Sequence, residues 1–221
     1  MLEILVLALL GGALTLDQTS FGQFMLARPL VSGALAGWIL GAPEAGILAG
    51  ALLEVLFLPA FPVGGARFPE GGPAGVVGAA ASVAAGTGAA GLALGVALGT
   101  VWGLLGGASV GALRRINERI APQTENGEVQ PARIVAGHVS GLVLDFCRGS
   151  VLTGVGVVVA ELVGPEAGAA WPLAETTTVR ALAVVATLSL GGLLGGLGGW
   201  KRAPGYLAGG LLLGALVGWF L

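Results

Sequence analysis

The chain has 221 residues, of which 55% are hydrophobic and only 10% charged, and its mean hydropathy is +0.93. Soluble domains carry roughly one-quarter charged residues, so this composition argues against a water-soluble fold and for an all-α, polytopic membrane protein, a bundle of helices with broken or re-entrant segments. A formal net charge of -2 offers no dense basic field for nucleic acid.

At roughly 20 residues per crossing, the length has room for about six to nine spans in a single membrane domain over residues 1–221. The 42 glycines show no collagen-like period and are embedded in Ala, Leu and Val, the composition of close helix contacts in lipid. Leu2 to Leu16 forms the first apolar segment. It carries Glu3 and lacks the basic start and small-residue cleavage site of a signal peptide, so it is expected to stay as the first helix. A polar cluster, Asp17-Gln18-Thr19-Ser20, ends it. The stretch Phe21 to Leu40 contains Arg28-Pro29, and a proline disfavours helical backbone at the residue before it, which predicts a break at Arg28. Ala45 to Leu58 is short, carries Glu54, and runs into residues 59–73, where four prolines and four glycines fall within fifteen positions. Irregular backbone flanked by apolar spans is tolerated at membrane depth only where protein or a watery cavity satisfies it.

Ala74 to Leu113 is long enough for two helices turning near Gly86-Thr87-Gly88. The sustained hydrophilic stretch 114–133 follows, with Arg114, Arg115, Glu118, Arg119, Glu125, Glu128 and Arg133, and is expected as the main cytoplasmic loop. Further helices are expected over Ile134–Val163, Val179–Gly199 and Gly205–Leu221, the last after Lys201-Arg202. With both basic loops inside, residues 163–178 become an outside loop, and Arg180 is the exception to the charge rule. No internal repeat stands out from the Ala/Gly/Leu background.

Charges at membrane depth cost about 2.5 to 3.5 kcal/mol each on insertion scales, so Asp17, Glu54, Asp145 and Arg148 need partners or a water-lined cavity. Asp145 and Arg148 are spaced i,i+3 and can neutralise one another on one helix face. Asp17 can be a solvated helix end. Glu54, inside Ala-Leu-Leu-Glu-Val-Leu-Phe-Leu, is the stronger functional candidate. His138 has no second His, Cys or carboxylate at ligand spacing, so no metal site is expected there, and a lone helical histidine reads first as a packing residue. Cys147 stands alone and is given no role. Gly191-Gly192 and Gly195-Gly196 lack the Lys-Ser/Thr of a phosphate-binding loop, so no nucleotide cofactor is expected. Trp38, Trp102, Trp171, Trp200 and Trp219 mostly fall near expected span ends, where an interfacial belt explains them; Trp171 is also a candidate for stacking on a sugar. No nucleophile and base or metal constellation can be assembled, so an enzyme is not expected.

The order and spacing of Leu16-Asp17-Gln18, Arg28-Pro29-Leu30, Leu40-Gly41, Gly46-Ile47-Leu48-Ala49-Gly50, Leu53-Glu54 and the run from Gly64-Gly65-Ala66 to Pro69-Glu70 resemble the IIC component of mannose/sorbose-type sugar phosphotransferase systems. The likeness continues into Gly137-His138-Val139-Ser140 and Gly205-Tyr206-Leu207. It implies a membrane subunit that binds and translocates a hexose in the bacterial inner membrane, beside a IID membrane subunit, with cytoplasmic IIA and IIB components carrying the phosphoryl groups. It also implies a trimeric assembly and a core sliding against a scaffold, with residues 59–73 in the core. The IIC chain itself would carry no phosphohistidine.

A sugar site needs convergent donors and acceptors, because hydroxyls stripped of water must be paired again. Asp17, Gln18, Glu54 and Glu70 supply acceptors, Gly64 and Gly65 allow backbone amides to approach a sugar, and Arg28 can hold a carboxylate in place. The chain is shorter at its C-terminal end than the family pattern and poor in polar groups. Two other readings therefore stay open: a non-transporting scaffold or sensor of the same fold, and a secondary transporter coupling ions through Asp17 or Glu54.

Overall fold

The computed structural model describes residues 1–60, 67–121, 130–196 and 204. Among them, seven helices and no strands are formed: α1 (Leu2–Thr19), α2 (Pro29–Ile39), α3 (Pro43–Phe57), α4 (Gly71–Ala84), α5 (Ala89–Ile120), α6 (Pro131–Ala169) and α7 (Glu175–Gly196). Prolines open α2, α3 and α6, where their fixed φ suits the first turn and their missing N–H costs nothing. Arg28 is extended, with ψ at 135°, as the following proline requires, and the chain breaks there.

Four helices, α1, α5, α6 and α7, contain stretches long and apolar enough to cross a membrane. By contrast, α2, α3 and α4 have 11, 15 and 14 residues. At 1.5 Å per residue they reach about 16, 22 and 21 Å, short of a hydrocarbon core of about 30 Å. Of these partial helices α4 lies at the centre, and α2 and α3 pack against it. α2 and α3 form a tight antiparallel pair in which a Cβ on Gly33 would strike the Gly46 carbonyl, and one on Gly46 the Gly33 carbonyl. Only glycine at both positions permits that backbone approach.

α4 is the hub. It packs against α1, α2, α3, α5 and α6, and every residue from Gly71 to Ser82 is buried. Its Val76, Val77, Ala79, Ala80 and Ala81 join Leu7 and Leu14 of α1, Trp102 of α5, and Val157 and Ala160 of α6 in the core. Large apolar side chains point outward instead on the long helices, among them Leu104, Leu162 and Leu188, as a lipid-facing surface requires. The chain is thus an all-α, multi-pass membrane protein.

Three expectations change. The hydrophilic stretch 114–133 is not one loop, because α5 continues through Arg114, Arg115, Glu118 and Arg119 to Ile120 and α6 begins at Pro131. Arg and Glu are good helix formers, and Glu118 lies within i,i+4 reach of Arg114, so leaving the apolar zone does not end the helix. The stretch 163–178 is mostly helix as well: α6 runs on to Ala169 and α7 starts at Glu175. Trp102 is no interfacial anchor but a buried side chain whose Nε1 donates to the Leu152 carbonyl at 2.8 Å. The helix expected over Gly205–Leu221 lies outside the described residues, as do Trp200 and Trp219.

Candidate functional site

The polar end of α1 is built around Asp17, which is 8% exposed. Its carboxylate accepts the backbone N–H of Phe24 at 2.7 Å and of Ala27 at 2.9 Å. These bonds hold a turn in which Gly22, Gln23 and Met25 all have positive φ. Left-handed backbone at Gln23 and Met25 is strained for residues with a Cβ, and persists only where surrounding contacts impose it; Asp17 supplies two of those contacts.

One residue on, Gln18 reaches the segment leading into α4. Its Nε2 donates to the Pro69 carbonyl at 3.2 Å, and its Oε1 accepts the Gly71 N–H at 3.0 Å. Gln18 therefore grips the backbone on both sides of Glu70. Across from it, Glu54 of α3 forms an ion pair with Arg28 and also faces the N–H of Leu30 at 3.4 Å.

These groups converge on a cavity of about 560 Å³ whose walls include Asp17, Gln18, Arg28, Glu54, Phe57, Phe68, Pro69, Gly71 and Arg114. Its size falls within the range of about 300–1,000 Å³ typical of small-molecule sites, and its mixture of aromatic, aliphatic and charged walls is also typical. Of the carboxylates expected at a binding site, Asp17 and Glu54 lie on this wall and Glu70 does not. Gly64 and Gly65 lie outside the described residues.

Glu70 is the N-cap residue of α4 and fully buried. Both its oxygens are taken by Arg148: Nη2 donates to Oε1 at 2.6 Å and Nη1 to Oε2 at 2.9 Å. Arg148 also donates to Asp145 Oδ1, from Nη2 at 2.8 Å and from Nε at 3.2 Å, and to the Ser109 hydroxyl. Asp145 in turn accepts the Ser20 hydroxyl. The i,i+3 pair legible on α6 is therefore two-thirds of a buried triad. The third member sits 78 positions earlier in the chain, so no helical spacing announces it. The available signal is the donor capacity of Arg148: a guanidinium has five N–H donors, more than Asp145 alone engages, and a buried Glu70 carboxylate needs a cation.

The remaining candidates are dispersed. His138 borders a second, smaller cavity of about 360 Å³ with Ser20, Asn117 and Gly141. Cys147 is exposed on α6. Trp171 Nε1 donates to Thr178 Oγ1 at 2.8 Å at the link between α6 and α7, and is not on the wall of the larger cavity. Among the described residues no three His, Cys, Asp or Glu side chains are grouped to hold a metal ion.

One solved structure, titled "Structure of membrane protein", is similar to this chain with a TM-score of 0.72 and 19% identity, covering 96% of this chain and 85% of that one. At that identity the likeness shows the fold alone. No curated protein sequence matches. A family model described as "PTS system sorbose-specific iic component" matches residues 1–186, and the chain therefore belongs to the IIC family of mannose/sorbose-type sugar phosphotransferase systems.

Proposed function

We propose that this chain binds a hexose in the cavity between Asp17, Gln18, Arg28 and Glu54 and carries it across the bacterial inner membrane for phosphorylation by cytoplasmic partners. Members of the family are sugar-transport membrane subunits, in which phosphoryl transfer is the work of other components. In this reading the chain works beside a IID membrane subunit, receives phosphoryl chemistry from IIA and IIB, and assembles as an oligomer, a trimer by the family pattern.

The observation that carries the reading is the convergence of the carboxylates of Asp17 and Glu54, the amides of Gln18 and Gln23 and the guanidinium groups of Arg28 and Arg114 on one cavity in a largely apolar bundle. A sugar stripped of water needs each hydroxyl paired again, and charged acceptors make the stronger bonds. Each carboxylate has about four lone-pair sites. Asp17 spends two on Phe24 and Ala27, which leaves acceptor capacity at a position already fixed by those bonds. Glu54 is held in the same way by Arg28. Gly64 and Gly65 belong to the proposed site through the family resemblance.

Co-purification of the tagged chain from its native membrane tests this reading. The expected result is recovery with a IID-type membrane protein and a IIB-type protein, together with phosphorylation of hexoses by the complex when a phosphoryl donor is supplied. Purification of the chain alone, with no sugar binding, would overturn it and favour a scaffold of the same fold.

A further inference from the structure

We propose that Glu70 does not contact the sugar but is a positioning residue, which with Arg148 holds residues 67–71 in place as a wall of the cavity. The inference deepens the function proposed above and rests on it for its sugar readout alone.

Three contacts immobilise this short extended segment from different directions. From the cavity side, Gln18 bonds the carbonyl before Glu70 and the N–H after it. From α5, the Gly103 carbonyl accepts the N–H of Glu70 itself at 2.9 Å. From α6, Arg148 takes both carboxylate oxygens in a fork, a geometry that fixes orientation as well as distance. Phe68, Pro69 and Gly71 line the cavity, whereas the fully buried Glu70 side chain is turned into the bundle.

Backbone of this kind has no ladder of its own, so its place depends on such side-chain anchors. Arg148 reaches the other wall as well. Asp145, its neighbour on α6, accepts the hydroxyl of Ser20, the residue that opens the turn whose Phe24 and Ala27 amides Asp17 holds. One guanidinium therefore ties together the two irregular segments between which a sugar would lie.

The test uses the full chain in lipid nanodiscs and the variant Glu70→Gln, which keeps the side-chain shape and leaves Arg148 and Asp145 as a neutral pair. A second variant, Arg148→Lys, keeps the charge and removes the fork. Two quantities are measured: amide hydrogen exchange at Glu70 and Gly71 without sugar, and binding of radiolabelled mannose and sorbose. Both variants are expected to exchange at these two amides at least about tenfold faster, with α2 and α3 unchanged, and to bind sugar about tenfold more weakly. Wild-type exchange at Glu70 and Gly71 in both variants would overturn the proposal, and if binding still fell, Glu70 would be a direct sugar ligand. A uniform rise in exchange along all helices would also overturn it, marking Glu70 as a general structural residue. If the wild-type chain binds no sugar, the transport reading fails while the exchange data still decide the positioning role.

Discussion

Arg28, the N-cap residue of α2, is ion-paired with Glu54 in the last turn of α3. The pair joins the two ends of the α2–α3 hairpin that face the cavity, and it leaves Glu54 mostly shielded while half of Arg28 stays open. Replacing Glu54 by Ala is expected to weaken hexose binding by about tenfold or more, equivalent to about 1.4 kcal/mol, without loss of assembly. Equilibrium dialysis with labelled sugar and size-exclusion chromatography measure the two effects, and unchanged binding would remove Glu54 from the site.

Asp17→Asn should loosen the turn 20–28. A carboxylate accepts both the Phe24 and Ala27 amides, whereas an asparagine must turn an NH2 toward one of these N–H donors. Bonds to a charged group are worth about 1.5–3 kcal/mol, so exchange at Phe24 and Ala27 should rise at least about tenfold while the first turns of α1 keep their protection. Equal exchange in both proteins would mean that the turn holds itself.

The α2–α3 pair should tolerate no side chain at its crossing. Gly46→Ala places a methyl against the Gly33 carbonyl, and overpacking of this kind costs about 1–3 kcal/mol. Thermal inactivation, followed as the monodisperse fraction after heating, should come at a clearly lower temperature. A wild-type profile would show that the two backbones can separate at little cost.

Trp102 and Gly156 give an internal comparison. Trp102→Phe removes the bond to the Leu152 carbonyl, a loss of about 0.5–1.5 kcal/mol. Gly156→Ala drives a methyl into the Trp102 indole and Val77, within the same overpacking range of about 1–3 kcal/mol. The glycine variant is therefore expected to be the less stable in the same heating assay, and the reverse order would mean that the hydrogen bond, not the close approach, joins α5 to α6.

Features governed by neighbouring residues were legible in the sequence. Arg28-Pro29 breaks the chain, the turn falls at residues 85–88, and Glu54 stands alone in an apolar run. All three follow from local chemistry that acts within a few positions. What escaped depends on residues far apart. Glu70 and Arg148 meet only after α6 folds back on α4, and Trp102 is buried because α6 presents a glycine opposite it. The hydrophilic stretch failed differently: its polarity marks where α5 leaves the apolar zone, which is a statement about solvent and not about backbone.

The enclosure of α4 has a consequence for how the protein is made. Its fourteen residues are mostly Gly, Ala and Val, too short to span a bilayer unaided, and among the described helices packed on it α5 and α6 are translated after it. The seat for Val76 and Val77 exists only once Val157 and Ala160 have emerged. Among the described residues, the enclosure of α4 is therefore complete only after α6, which carries Arg148, Val157 and Ala160, has been translated.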